Sequence, residues 1–296
     1  SASMVISTSR PITVTGNEKY TQDLFEAIFK NGNVSDDLIG ILLQSIKDGS
    51  TEAQYFHLFG DPAMQLPMPK DTLTQISISP DTMKTLEKGL YTGTLQSNNM
   101  TNYGFVNLID ADRNVTRIYE IESETHSISY TLPGATLFRG QFIFSEANFS
   151  GEIITPQDIS YSNNTGKLIM YIHDNNTDYR GIIDSIYFIG GESTADQYGP
   201  GITFENSSGT RLENGDHLSI DSDLVIRITD PLGINITNES GHEILITDLN
   251  SNDINNFTNQ FYYDPNSINT GTIIYGTSNN DINLKINAWD NANNPS

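Results

Sequence analysis

Cysteine is absent from the 296 residues. That excludes disulfides, thiolate zinc sites, iron–sulfur clusters and a cysteine nucleophile within this chain. Basic residues are scarce. Fifteen Lys and Arg stand against 37 Asp and Glu, a formal net charge of −22. Such a chain is a poor ligand for a nucleic-acid backbone, which needs clustered cations. Anionic membrane surfaces are disfavoured for the same reason. There is no run of 18 apolar residues, so no membrane span is expected. The N-terminus has neither a basic segment nor a long apolar one, so it does not read as a signal peptide. Both ends read as cut from something longer. Tryptophan occurs once, yet 14 Tyr and 13 Phe suffice for small cores in a chain that is 36% apolar.

The length suits two or three domains. Residues 1 to about 69 differ from the rest. Val5 and Ile6 suggest a short strand. Asn17 to Lys30 reads as a helix with an apolar stripe of Leu24, Phe25, Ile28 and Phe29, stopped by Asn31-Gly32-Asn33. A second helix is expected after Ser35 as N-cap, with Asp36 and Asp37 in its first turn. Leu38, Ile39, Leu42, Leu43 and Ile46 form its buried face, and Gly49 takes the position after its end. Tyr55 to Phe59 is strand-like, and Gly60-Asp61-Pro62 is a turn. Strand, helix, helix, strand is the tail of an α/β domain, too short alone to build both faces of a sheet. A proline-rich boundary follows at Leu66-Pro67-Met68-Pro69-Lys70.

Beyond it the helical signal nearly vanishes. Short alternating segments separated by Gly, Asn, Asp and Pro read as antiparallel strands. They include Leu90–Leu95, Tyr103–Ile109, Thr116–Ile121, Ser127–Tyr130, Gln141–Phe144, Leu168–Ile172 and Ile182–Phe188. Gly190 to Ala195 is a small, polar linker. A second all-β unit offers Gly201–Phe204, Leu224–Ile228, Glu243–Thr247, Gln260–Tyr263, Gly271–Tyr275 and Ile282–Trp289. The expected fold is α+β overall: an α/β remnant at 1–69, then two immunoglobulin-like or β-sandwich modules at 70–191 and 196–296.

Candidate chemistry is sparse. The five histidines form no metal-spaced pair, and His57 and His242 read first as structural. Calcium takes clustered oxygen ligands in loops. Asp110-Ala111-Asp112-Arg113-Asn114 and Asp290-Asn291-Ala292-Asn293-Asn294 offer such oxygens, making Asp110, Asp112 and Asp290 the calcium candidates. Neither stretch completes an EF-hand loop, and solvated turns are the competing reading. No nucleophile elbow, phosphate loop or dinucleotide motif occurs, so no catalytic or cofactor-binding residue is assigned. Asn–x–Ser/Thr triplets, as at Asn33, Asn114 and Asn148, follow by chance from 31 asparagines. Trp289, in an alternating strand, reads as core and not as a sugar-stacking platform.

Several motifs together resemble the gingipain-type C25 cysteine peptidases, nearest their type IX secretion signal peptidase and sortase branch. The first is Tyr55-Phe56-His57-Leu58-Phe59-Gly60-Asp61-Pro62, continuing to Leu66-Pro67. Ser7-Thr8-Ser9-Arg10 with the helix that follows is similar to the stretch after the family's catalytic cysteine. Leu132-Pro133-Gly134, Thr155-Pro156-Gln157-Asp158-Ile159-Ser160-Tyr161 and Gly166-Lys167-Leu168 resemble its downstream segments. So do Asp230-Pro231-Leu232-Gly233-Ile234-Asn235, Gly241-His242-Glu243 and Trp289-Asp290-Asn291-Ala292-Asn293-Asn294. The resemblance implies a His–Cys dyad lying before Ser1 in a longer parent. His57 does not match the dyad histidine, and nothing catalytic transfers to this sequence. It further implies a bacterial cell-surface location, associated with the outer membrane. Its implied partners are the upstream catalytic domain, secreted cargo and outer-membrane secretion components. The competing reading is a non-enzymatic surface interaction or carbohydrate-binding β-sandwich protein.

Overall fold

The computed structural model describes residues 4–29, 35, 37–49, 52–66, 68–69, 71–95, 102–121, 124–173, 177–192, 194–219, 221–276 and 281–296. The architecture is mixed: an N-terminal region of helices and strands, then multiple β-sheets. It divides into two compact units, residues 1–72 with 177–179, and 73–176 with 180–296.

In the first unit, strand Met4–Thr8 pairs antiparallel with Phe56–Gly60, Ile6 opposite Leu58 and Val5 opposite Phe59. Helix α1 spans Val14–Ile28 and begins before the expected Asn17. Thr13 caps it, accepting from the Gly16 amide at 3.0 Å. Helix α2 spans Ile39–Gly49. Ser35 is not its N-cap: its hydroxyl accepts from the Asp37 amide in a local turn ahead of the helix. Gly49 lies at the helix end and not beyond it. The expected helix stop at residues 31–33, together with Asp36, Pro67 and Lys70, lies outside the described residues.

The Gly60-Asp61-Pro62 turn supplies what α2 lacks. The Met64 and Pro62 carbonyls accept from the Ile39 and Gly40 amides at 2.9 and 3.0 Å, satisfying orphan donors of the first turn. Gly60 has φ +152, outside the range of ordinary residues. A β-carbon on Gly40 would sit 2.8 Å from that of Pro62. Tyr20, Ile39, Leu42, Leu43, Ile46 and Phe56 then form the core, with Tyr20 stacked on Phe56 at 3.5 Å. Each such side chain contributes about 2 kcal/mol. On the other sheet face Val5 is 50% exposed and Phe59 63%, next to exposed Ser7 and His57.

In the second unit one long sheet runs from Arg211–Leu212 through Gly201–Asn206, Leu224–Thr229, Thr270–Tyr275 and Tyr262–Tyr263. It continues through Thr136–Phe144, Asn102–Ile109 and Gly166–His173 to residues 180–189 of the last strand. Alternation decides which side chains go inward. Val106, Leu108, Leu168, Met170, Ile172, Ile226, Ile228 and Ile273 are buried, while Tyr103 and Phe105 between them face out. The two halves of this sheet meet at one parallel pair, Gly140 with Tyr263. Phe138 stacks on Tyr263 at 4.5 Å, and the Arg139 guanidinium donates to the Asn259 carbonyl at 2.9 Å. Smaller sheets are Ile76–Ser79 with Lys88–Thr94 and Asn148–Ile154, and Asp253–Asn256 with Leu245–Asp248 and Leu284–Asn287. The strands Asn148–Ile154 and Asp253–Asn256 were not legible in the sequence. The expected strand from Gln260 shrinks to Tyr262–Tyr263 behind a helical turn, and that from Ile282 to Leu284–Asn287.

Arg113–Ile121 and Glu124–Leu132 form a separate two-stranded ribbon in which none of the described residues is buried. A ribbon that buries so little adds little to stability. Replacing residues 115–130 by a short Gly-Ser linker is therefore expected to shift the melting temperature by no more than about 2 °C. A larger drop in a thermal melt would show that the ribbon packs on the body.

A candidate functional site in the polar loops of the second unit

Asp158 lies in the loop before strand Gly166–His173, in the segment Gln157-Asp158-Ile159. Its carboxylate is encircled. The Asn235 amide donates to Oδ2 at 2.8 Å, the Asn293 amide to Oδ1 at 2.7 Å, and His242 Nδ1 lies 2.5 Å from Oδ2. Asn235 is fully buried, and its own oxygen accepts from the Thr237 amide and hydroxyl. Burial would push the Asp158 pKa up, but the three donors outweigh it and hold the pKa below the ordinary value. The His242 ring packs against half-buried Trp289 at 4.7 Å. Trp289 is therefore not a free platform. Two backbone bonds tighten the same junction, Gln157 to the Asn291 carbonyl and Asn235 to the Trp289 carbonyl, each at 2.8 Å.

A cavity of about 360 Å³ opens beside this cluster, lined among others by Arg113, Gln157, Ser160, Tyr161, Glu239 and His242. Arg113 faces Glu239 at 3.7 Å. Ser160 is committed elsewhere, its hydroxyl donating to Asp110 Oδ1 at 3.1 Å. Among the described residues no hydroxyl bonds to the His242 ring, so an Asp–His pair is present without an aligned serine.

The three calcium candidates occupy different settings. Asp110 is buried, and it accepts from the Ala111 amide, the Ser160 amide and the Ser160 hydroxyl. Asp112 lies 3.3 Å from the Lys167 ammonium. Asp290 is fully buried and meets two carboxylates that sequence reasoning missed. One carboxylate oxygen each from Asp196, Asp230 and Asp290 lie within 4.8 Å of one another. Asp290 accepts from the Ala292 and Asn294 amides and the Asn294 side chain, and Asp230 from the Leu232 amide. Burial pushes the Asp230 pKa up to about 6, with Asp290 and Asp196 adding repulsion against the pull of the Leu232 amide. Burial also raises the Asp290 pKa, opposed by its donors and reinforced by Asp196. The polar Asn235 between Ile234 and Ile236 was the one local hint of the Asp158 network, since a polar group inside an apolar run must find a partner. His57 is exposed across from Ser7.

No helix among the described residues is long and apolar enough to cross a membrane. No curated protein matches the chain. A crystal structure of dimeric latent PorU from Porphyromonas gingivalis is similar at 21% identity and a TM-score of 0.44. That likeness covers 99% of this chain and 30% of that one. The chain thus spans about 30% of the length of the structure it resembles. Residues 1–67, the strand–helix–helix–strand segment with its Gly-Asp-Pro turn, match the model of peptidase family C25, in a chain without the cysteine that such a peptidase needs.

Proposed function

We propose that this chain is the non-catalytic C-terminal part of a cell-surface C25-type cysteine endopeptidase and sortase that processes secreted cargo. The observation carrying this reading is the match of residues 1–67 to the C25 family model in a chain with no thiol. The exposed pair Val5 and Phe59 adds support, since large apolar side chains on a sheet face gain from a covering layer. In this reading residues 1–69 complete the catalytic α/β domain. The regions 70–191 and 196–296 are sandwich modules that support it and present it to cargo or outer-membrane secretion partners. The test is reconstitution. The chain is mixed with a separately produced upstream domain carrying a His–Cys dyad, and cleavage of a reporter bearing a C-terminal sorting signal is followed. The chain alone is expected to be inert and the mixture active. An upstream domain equally active with and without the chain, and not binding it, overturns the reading.

Structural calcium belongs to the same proposal, with Asp290 as the ligand that Asp196 and Asp230 now join, while Asp110 and Asp112 remain separate candidates. A cation bound only by the folded chain raises its melting temperature. A melt unchanged by chelator and by added calcium removes this part.

A further inference from the structure

We propose that Asn214 is a site of spontaneous covalent modification, in which its side-chain amide is converted to aspartate and isoaspartate by attack of the Gly215 backbone nitrogen. Asn214 and Gly215 are both exposed, in the loop after the edge strand Arg211–Leu212. They are the central residues of a tight turn closed by the Asp216 amide, which donates to the Glu213 carbonyl at 3.0 Å. The turn is pinned at its ends: the Glu213 amide donates to Asp216 Oδ2 at 2.8 Å. Its centre is left open. Gly215 has φ +94, and no atom beyond its two chain neighbours lies within 4 Å of where its β-carbon would be. Among the described residues neither the Gly215 amide nor the Asn214 side chain makes a hydrogen bond. The nucleophile is thus uncommitted, unshielded by a side chain, and next in the chain to the carbonyl carbon it attacks. Closing a five-membered ring within one chain gains the proximity advantage of intramolecular reactions.

The atoms balance. Hydroxide removes the Gly215 amide proton, and the nitrogen forms a bond to Asn214 Cγ. The Cγ–Nδ2 bond breaks as that nitrogen takes a proton from the water just formed, so ammonia leaves and hydroxide is regenerated, giving a cyclic imide. Water then opens the ring at either carbonyl, yielding an aspartyl or an isoaspartyl link. Other asparagines in turns are held differently. Asn206 accepts at Oδ1 from the amides of Ser208 and Thr210 and from the Ser208 hydroxyl, and no glycine follows it. Asn238 accepts from the Asn256 side chain. The second Asn–Gly pair, Asn31-Gly32, lies outside the described residues.

The conversion has a structural consequence. It places a new carboxylate between Glu213 and Asp216 and, in the isoaspartyl form, lengthens the backbone of a pinned turn. That turn rims a cavity of about 320 Å³ whose walls include Phe204, Leu212, Leu218, Leu224 and Leu284. Ageing therefore loosens the cover of an apolar edge.

The test is incubation of the full chain in buffers of rising alkalinity, followed by mass mapping of the tryptic peptide 212–227. Asn214 is expected to convert before any other described asparagine, about tenfold faster for each step of one pH unit. That ratio corresponds to about 1.4 kcal/mol of barrier. An intact Asn214 while other described asparagines convert overturns the proposal, as does a rate independent of alkalinity. Asn214→Gln checks the consequence. The aged wild type should melt lower than the fresh protein while the variant holds its melting temperature. An equal fall in both would overturn the structural consequence.

Discussion

Asp158→Ala is expected to cost about 3 kcal/mol of stability, because it strips the acceptor from three polar side chains at once. Asn235 is fully buried and cannot turn to water, and Asn293 and His242 lose their shared partner. Asn235 keeps a 2.9 Å bond to Asn293, which limits the loss. Hydrogen bonds to a charged group are worth about 1.5–3 kcal/mol each, but they are not additive within one network. Asp158→Asn should fall between the two, since it retains an oxygen while turning an amide donor toward other donors. Urea denaturation at neutral pH measures both. A loss under about 1 kcal/mol for the alanine variant would mean that the cluster is solvated and holds nothing together. The depressed Asp158 pKa fixes the acid side as well. Its contribution is present above the unfolded value near 3.9, and is lost as pH falls through the lower folded value.

The Asp196–Asp230–Asp290 cluster works in the opposite direction. Asp230 titrates at about 6 in the folded chain against about 3.9 unfolded. The folded state therefore binds more protons between those values. Its contribution is complete below about pH 3.9, declines as pH rises to about 6, and is flat beyond. Asp230→Asn keeps an oxygen to accept from the Leu232 amide and removes the charge facing Asp290 and Asp196. In chelator at pH above 7 the variant should be more stable than the wild type by about 1–2 kcal/mol, after allowance for solvent screening. Its stability should also vary less between pH 4 and 6. A variant less stable than the wild type under those conditions would sink the account of a charge disfavoured by burial and by its acidic neighbours.

Much of the local structure was written in the sequence. Period-2 alternation placed the strands around Val106, Leu168 and Ile226 because a sheet with one buried face imposes it. The α2 stripe of Ile39, Leu42, Leu43 and Ile46 was equally plain, and all four are buried. Helix starts were less legible. Both Thr13 and Ser35 offer a capping hydroxyl, and only the tertiary supply of carbonyls from Pro62 and Met64 fixes where α2 begins. The strand Asn148–Ile154 escaped because Gly151 interrupts its pattern. In the fold Tyr91 covers that glycine, its hydroxyl 2.1 Å from where a β-carbon would sit.

The absence of a thiol, the excess of carboxylates and the order of helix and strand segments needed nothing but the sequence. The candidate site needed the tertiary structure. Asp158 finds its partners 77, 84 and 135 residues away, and Asp290 finds Asp230 and Asp196 from other loops. Local pattern reports which face of an element is buried. It does not report which distant loop comes to rest against it, because that is decided by strand register and by the pairing of two sheet halves at Gly140 and Tyr263.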